Sequence, residues 1–143
     1  MSHKLFALAA AAALLAGCGD SRPPVAEGPI PAPGATSYVL YFDTGKWDLT
    51  QASNGKLDKA AERYRYGGIS RITLTGHADT VGTQQANLDL SMRRAQSARA
   101  GLMSRGVPTE FIVVSAQGED NLVVKTPDQT AEQRNRSVQI TMK

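Results

Sequence analysis

The sequence predicts an α+β fold, an α/β two-layer sandwich whose elements run β-α-β-α-β-β, with a mixed sheet and the helices on one face. Three observations carry this. Four short runs are rich in β-branched and aromatic residues, two longer segments place apolar residues at helical spacing, and Gly or Pro closes each helical segment.

The first run, SYVLYF at Ser37 to Phe42, reads as a strand. Leu57, Ala61 and Tyr64 follow at helical spacing, and Gly67-Gly68 stops that helix. Arg71 to Thr75, RITLT, is the second strand, with Ile72 and Leu74 on one face. A longer helix is expected from about Thr83 to Arg105, with Leu88, Met92, Ala95 and Leu102 as its apolar stripe and Leu90 on the opposite side. Gly106 and Pro108 end it in the order that helix termination favours. FIVVSA from Phe111 to Ala116 and SVQITM from Ser137 to Met142 are the third and fourth strands.

The folded region is therefore expected at residues 36–143, long enough for one modest core. What precedes it is different. Lys4 is followed by a charge-free apolar run from Leu5 to Ala16, which suits a secretory signal over residues 1–17. The run ends in Leu15-Ala16-Gly17-Cys18, which looks like a bacterial lipobox with Cys18 as the acylated residue. Cys18 is the chain's single cysteine, so no intrachain disulfide is possible. Residues 18–35 hold five of the seven prolines and no apolar periodicity, the composition of an extended tether. At roughly 3 Å per residue such a segment reaches on the order of 50 Å. Without Lys4, fifteen basic residues face thirteen acidic ones, a net of +2 that argues for no nucleic-acid partner. The lipid suggests membrane anchorage, and Gly19 rather than Asp after the cysteine favours the outer membrane.

The chemistry concentrates in TGHADTVGT, residues Thr75 to Thr83, and in the arginines beyond it. His77 and Asp79 could be metal ligands, but the only other histidine is His3 in the signal, so no metal site is expected. An enzyme would need a base beside Ser91 or paired carboxylates, and neither is evident. No catalytic residue and no cofactor are expected. Arg93, Arg99 and Arg105 read as a solvated helix face, Trp47 as a packing residue, and the His77 ring as a hydrogen-bonding shaper of the turn.

Gly76-His77-Ala78-Asp79-x-x-Gly82 followed by Asn87-x-x-Leu90-Ser91-x-x-Arg94-Ala95 resembles the OmpA-like (OmpA/MotB/Pal) peptidoglycan-binding domain. The resemblance runs from Tyr41-Phe42-Asp43 through Gly118-Glu119 to Arg134-Asn135-Arg136. It implies binding to the diaminopimelate of the cell-wall stem peptide, with Asp79 and Arg94 as the principal contacts. Gly76, His77, Thr80, Gly82, Asn87, Ser91 and Arg136 would support them. The implied protein is a lipid-anchored binder of peptidoglycan, tethering the outer membrane to the wall with its domain facing the periplasm. An envelope protein-protein module of the Pal type is the alternative, and a wall hydrolase a more distant one. The chain departs from the family pattern at Ala98, where Val is usual, and at Ser137, where a second Arg often stands. Thr80-Val81-Gly82-Thr83 also differs from the Glu-Arg-Gly-Thr usual in Pal.

The pairing makes chemical sense. Diaminopimelate offers an ammonium and a carboxylate on one carbon. Asp79 would accept from the first, and the planar fork of Arg94 would meet the second.

Overall fold

Alternation along four strands sets the architecture. The structure, a computed structural model, describes residues 37–143, so the expected signal, Cys18 and tether lie outside the described residues. In chain order the elements are β1 (Ser37–Tyr41), α1 (Gln51–Tyr66), β2 (Ile72–Gly76), α2 (Gln84–Met103), β3 (Ile112–Ala116) and β4 (Ser137–Met142). Short 3-10 turns at Thr109–Phe111 and Gln133–Asn135 precede β3 and β4. The expected α+β fold and its element order are the ones found.

The sheet order is β1-β4-β2-β3. β2 and β3 are parallel, as two strands joined through a helix can be, while β4 runs antiparallel to both β1 and β2 and lies between them. The last strand thus completes the middle of the sheet, with Val138 opposite both Leu40 and Gly76, and Ile140 opposite Leu74. Leu40, Ile72, Leu74, Val138, Ile140 and Met142 bury one face against Leu57, Ala60 and Ala61 of α1 and Ala95, Ala98 and Leu102 of α2. Each large aliphatic side chain so enclosed contributes about 1.5–3 kcal/mol. The other face is mixed and at least partly exposed, with Thr73, Thr75, Gln139 and Thr141 beside the exposed Tyr41 and Val113.

The helix ends follow from local chemistry. Thr50 and Thr83 cap α1 and α2, their hydroxyls accepting from the amides of Ser53 and Ala86. Gly106, at φ +87°, donates to Met103 O while Val107 donates to Leu102 O, the paired bonds of a Schellman ending. Position 101 is tight for a different reason: a Cβ there would lie 2.6 Å from Leu57 Cδ1, so the Leu57 side chain would have to shift where α1 and α2 cross.

Two expectations need correction. Phe111 belongs to the turn before β3, since Pro108 starts a 3-10 turn rather than a strand. More consequentially, the stripe assigned to the long helix is wrong in its first half. Leu88 and Met92 are exposed, whereas Asn87, Ser91, Arg94, Ala95, Ala98, Gly101 and Leu102 form the buried side. Leu90 flanks that side and is half-buried, and the helix is regular from Gln84 onward.

Candidate functional site

β1, β2 and β3 are mutually parallel, so their C-terminal ends meet at one end of the sheet, where β4 begins. Loops from all four strands converge there, the place where sheets of this kind gather ligands. His77 to Gly82 follow β2, Asp43 and Lys46 follow β1, Gln117 to Asp120 follow β3, and Arg136 precedes β4.

Gly76 is the close approach that makes this possible. A Cβ on it would lie 2.0 Å from the Ser91 carbonyl oxygen, so the backbone of α2 packs directly on the end of β2. Around that contact the polar residues of α2 dock onto loops. Ser91 Oγ donates to Leu88 O at 2.8 Å and accepts from Gly118 N at 2.9 Å. Asn87 Nδ2 donates to Glu119 Oε2 at 2.6 Å. Asn87 and Ser91 therefore hold the turn after β3 and are not directed at Asp79.

Arg94 is 0% exposed. Its Nε donates to Lys46 O at 2.9 Å, Nη1 to His77 O at 3.0 Å and Nη2 to Asp43 O at 3.2 Å, with Phe42 stacked 5.5 Å away. The expectation that its fork faces outward toward a carboxylate is corrected by this arrangement: the fork clamps the chain's own loops. Burial pulls its pKa down to about 10, with Asp79 opposing that shift and Arg136 adding to it, so it remains charged at neutral pH.

The direct partner of Asp79 is Arg136. Arg136 Nη1 donates to Asp79 Oδ2 at 3.1 Å while its Nε donates to Phe42 O at 3.1 Å. The substitution of Ser137 for a second Arg leaves this ion pair in place, and the Ser137 carbonyl accepts the His77 amide at 2.8 Å. Asp79 is 5% exposed. Its Oδ1 receives only a long contact from Val81 N at 3.4 Å, and among the described residues the second terminal nitrogen of Arg136 has no partner. In this ion pair Asp79 Oδ1 is held only by the long Val81 bond and one Arg136 nitrogen is free among the described residues, with the buried charge of Arg94 acting on Asp79.

His77 does not hydrogen-bond through its ring as expected. Its Nδ1 is buried without a partner, and burial lowers the ring's pKa. Its main chain does the shaping, through Ser137 O and Arg94. Thr80 is buried and Gly82 sits at φ +102°. Both are bound to a strap, Thr126 to Glu132, that the sequence did not connect to the site. Trp47 is 41% exposed rather than packed inside, and Arg93 stacks on it at 4.9 Å. Among the described residues no three His, Cys, Asp or Glu side chains gather around a metal position.

The sequence model of the OmpA family matches residues 41–136, which span every side chain of this site. An outer membrane protein of Gluconacetobacter diazotrophicus is 34% identical over 118 residues, covering 78% of this chain and 31% of that protein. A peptidoglycan-associated lipoprotein of Rhizobium meliloti is 35% identical over 97 residues, 68% of this chain and 55% of that one. The chain spans between 31% and 63% of the length of the first curated relatives it matches. The crystal structure of a peptidoglycan-associated lipoprotein from Burkholderia pseudomallei shares the fold, with a TM-score of 0.67 at 23% identity over 73% of this chain and 89% of that one.

Proposed function

This chain belongs to the OmpA family, and on that premise we propose that it binds peptidoglycan without turning it over, through the diaminopimelate of the stem peptide. What supports the reading most is the Asp79–Arg136 ion pair, in which Asp79 Oδ1 is held only by a long bond from Val81 N and one Arg136 nitrogen is free among the described residues. An ammonium and a carboxylate on one carbon complement such a pair, and the guanidinium meets the carboxylate with fixed geometry. Arg94 contributes from behind, as a fixed positive charge and as the clamp that holds the Asp43, Lys46 and His77 carbonyls in place.

In this reading residues 1–17 are removed, Cys18 carries the lipid, and residues 18–35 tether a domain starting at residue 36. The domain faces the periplasm from the outer membrane. Shielded charge-assisted hydrogen bonds contribute about 1.5–3 kcal/mol each. After association costs, a few of them give an affinity on the order of micromolar to millimolar. Many tethered copies on a polymer of repeated stems still hold firmly by effective concentration.

Ser91 offers no route to a hydrolase, because its hydroxyl is committed to Leu88 and Gly118. One observation favours a second reading as an envelope protein-protein module. Trp47, Met92, Arg93, Gln96, Ser97 and Ala100 line an open groove of about 410 Å³ away from Asp79. Capture of an envelope protein that survives loss of the Asp79 charge would favour that module. For the principal reading, the protein is sedimented with purified walls that carry diaminopimelate and with walls that carry lysine in its place. Pelleting with the first alone is expected; equal pelleting with both contradicts recognition of the second carboxylate-bearing centre.

A further inference from the structure

Asp79 is nearly closed off, and the element that closes it is held in an unusual way. Thr80 O accepts from Gln129 N at 2.9 Å, and Thr80 Oγ1 donates to Pro127 O at 2.7 Å and accepts from Thr130 N at 3.0 Å. These bonds lay the strap from Thr126 to Glu132 along the Asp79 loop, and Glu132 N comes within 3.4 Å of Asp79 Oδ2. At the outer edge the carboxamide of Gln129 grips the peptide groups flanking and including Gly82. Gly82 N donates to its Oε1 at 3.0 Å, and its Nε2 donates to Gly82 O at 2.8 Å.

Gln129 makes this grip from φ +53°, a left-handed conformation that non-glycine residues rarely adopt. Glycine would take that φ freely, yet only a side chain can form the two-pronged bond. A left-handed backbone on one side and two solvent-exposed hydrogen bonds on the other are the features of a latch that can release. We propose that Gln129 is the clasp of a gate: a ligand reaches Asp79 when the Gln129 carboxamide releases Gly82 and the strap lifts. Gln129 is a positioning residue in this scheme and touches no ligand. The proposal rests on the reading of Asp79 as the binding carboxylate.

The discriminating variant is Gln129→Asn. Asparagine tolerates the left-handed backbone but is one methylene too short to grip Gly82. Two measurements are made on the same pair of proteins. The first is amide hydrogen exchange without ligand. The Gly82 and Thr130 amides are expected to exchange roughly tenfold faster in the variant, the effect of losing two exposed neutral hydrogen bonds, while Leu74 and Ile140 are unchanged. The second is the association rate of a soluble muropeptide containing diaminopimelate, expected to rise by a similar factor, with the dissociation rate rising alongside it. Faster exchange with an unchanged association rate overturns the gate and leaves the binding reading standing. Unchanged exchange also overturns it, because the clasp then holds nothing closed. Failure of the parent to bind the muropeptide sinks the binding reading and the gate with it, whereas loss of binding by the variant alone overturns only the gate.

Discussion

Arg93 and Arg94 are neighbours in sequence and opposites in structure. Arg93 lies on the outer face of α2, its guanidinium over Trp47 in contact with solvent. Arg94, one residue on, is sealed from water and holds three main-chain carbonyls. The two faces of the first half of the helix show the same inversion, with Leu88 and Met92 outside and Asn87 and Ser91 inside. The reason lies in what each face meets. Toward its C-terminus α2 packs on strands, so its inner residues are Ala95, Ala98 and Leu102. Toward its N-terminus it packs on loops, whose buried carbonyls and amides need polar partners. A helix that serves a site at the end of a sheet is apolar inside only where it faces that sheet.

Substitutions at the two arginines break this comparison most sharply. Arg94→Ala removes three hydrogen bonds to loop carbonyls, one of them the buried His77 carbonyl, and is expected to cost about 3–5 kcal/mol, read as a large fall in the denaturant midpoint. The charge and the fold are therefore not separable at Arg94, and a loss of ligand binding there would not identify a ligand contact. Arg93→Ala is expected to stay within about 0.5 kcal/mol of the parent.

Ser91→Ala tests the inner face more gently. It removes the acceptor of the buried Gly118 amide, and a cost of about 1–3 kcal/mol is expected in the same denaturant titration. His77 supplies a pH-dependent case. Its folded pKa is depressed by burial, so the unfolded chain binds the extra proton first and stability falls as pH drops below about 6.5. The loss is at most about 1.4 kcal/mol per pH unit. Thermal unfolding between pH 7 and 5.5 should show that slope, and His77→Gln should flatten it. The smallest effect belongs to the outer face, where Leu88→Gln should leave the unfolding midpoint within about 0.5 kcal/mol.

Strand and helix positions were legible because burial against one face imposes periods of two and about 3.6. Ile72 with Leu74 and the alternation from Ser137 to Met142 sit where the pattern puts them. The sheet order was not legible, since nothing local says that the final strand enters between β1 and β2. The stripe through Leu88 and Met92 misled because hydrophobicity was taken as the mark of the inner face, and on α2 the inner face begins with loop-binding polar residues. The motif named Asp79 and Arg94 as the principal contacts with Arg136 in support. It could not assign which arginine pairs with Asp79, because that depends on where Phe42 and Asp43 return in space. Pro127-Asp128-Gln129 carries the marks of a turn but none of its destination across the Thr80 loop.

Asp79 is the residue on which the functional account stands, and titration calorimetry of diaminopimelate into the parent protein and into Asp79→Asn tests it most directly. The variant keeps the shape and removes the charge. Binding in the micromolar to millimolar range by the parent, weakened at least tenfold in the variant while the two proteins unfold cooperatively and give matching circular dichroism spectra, is the result expected. Equal heats and equal affinities for the two proteins would contradict it.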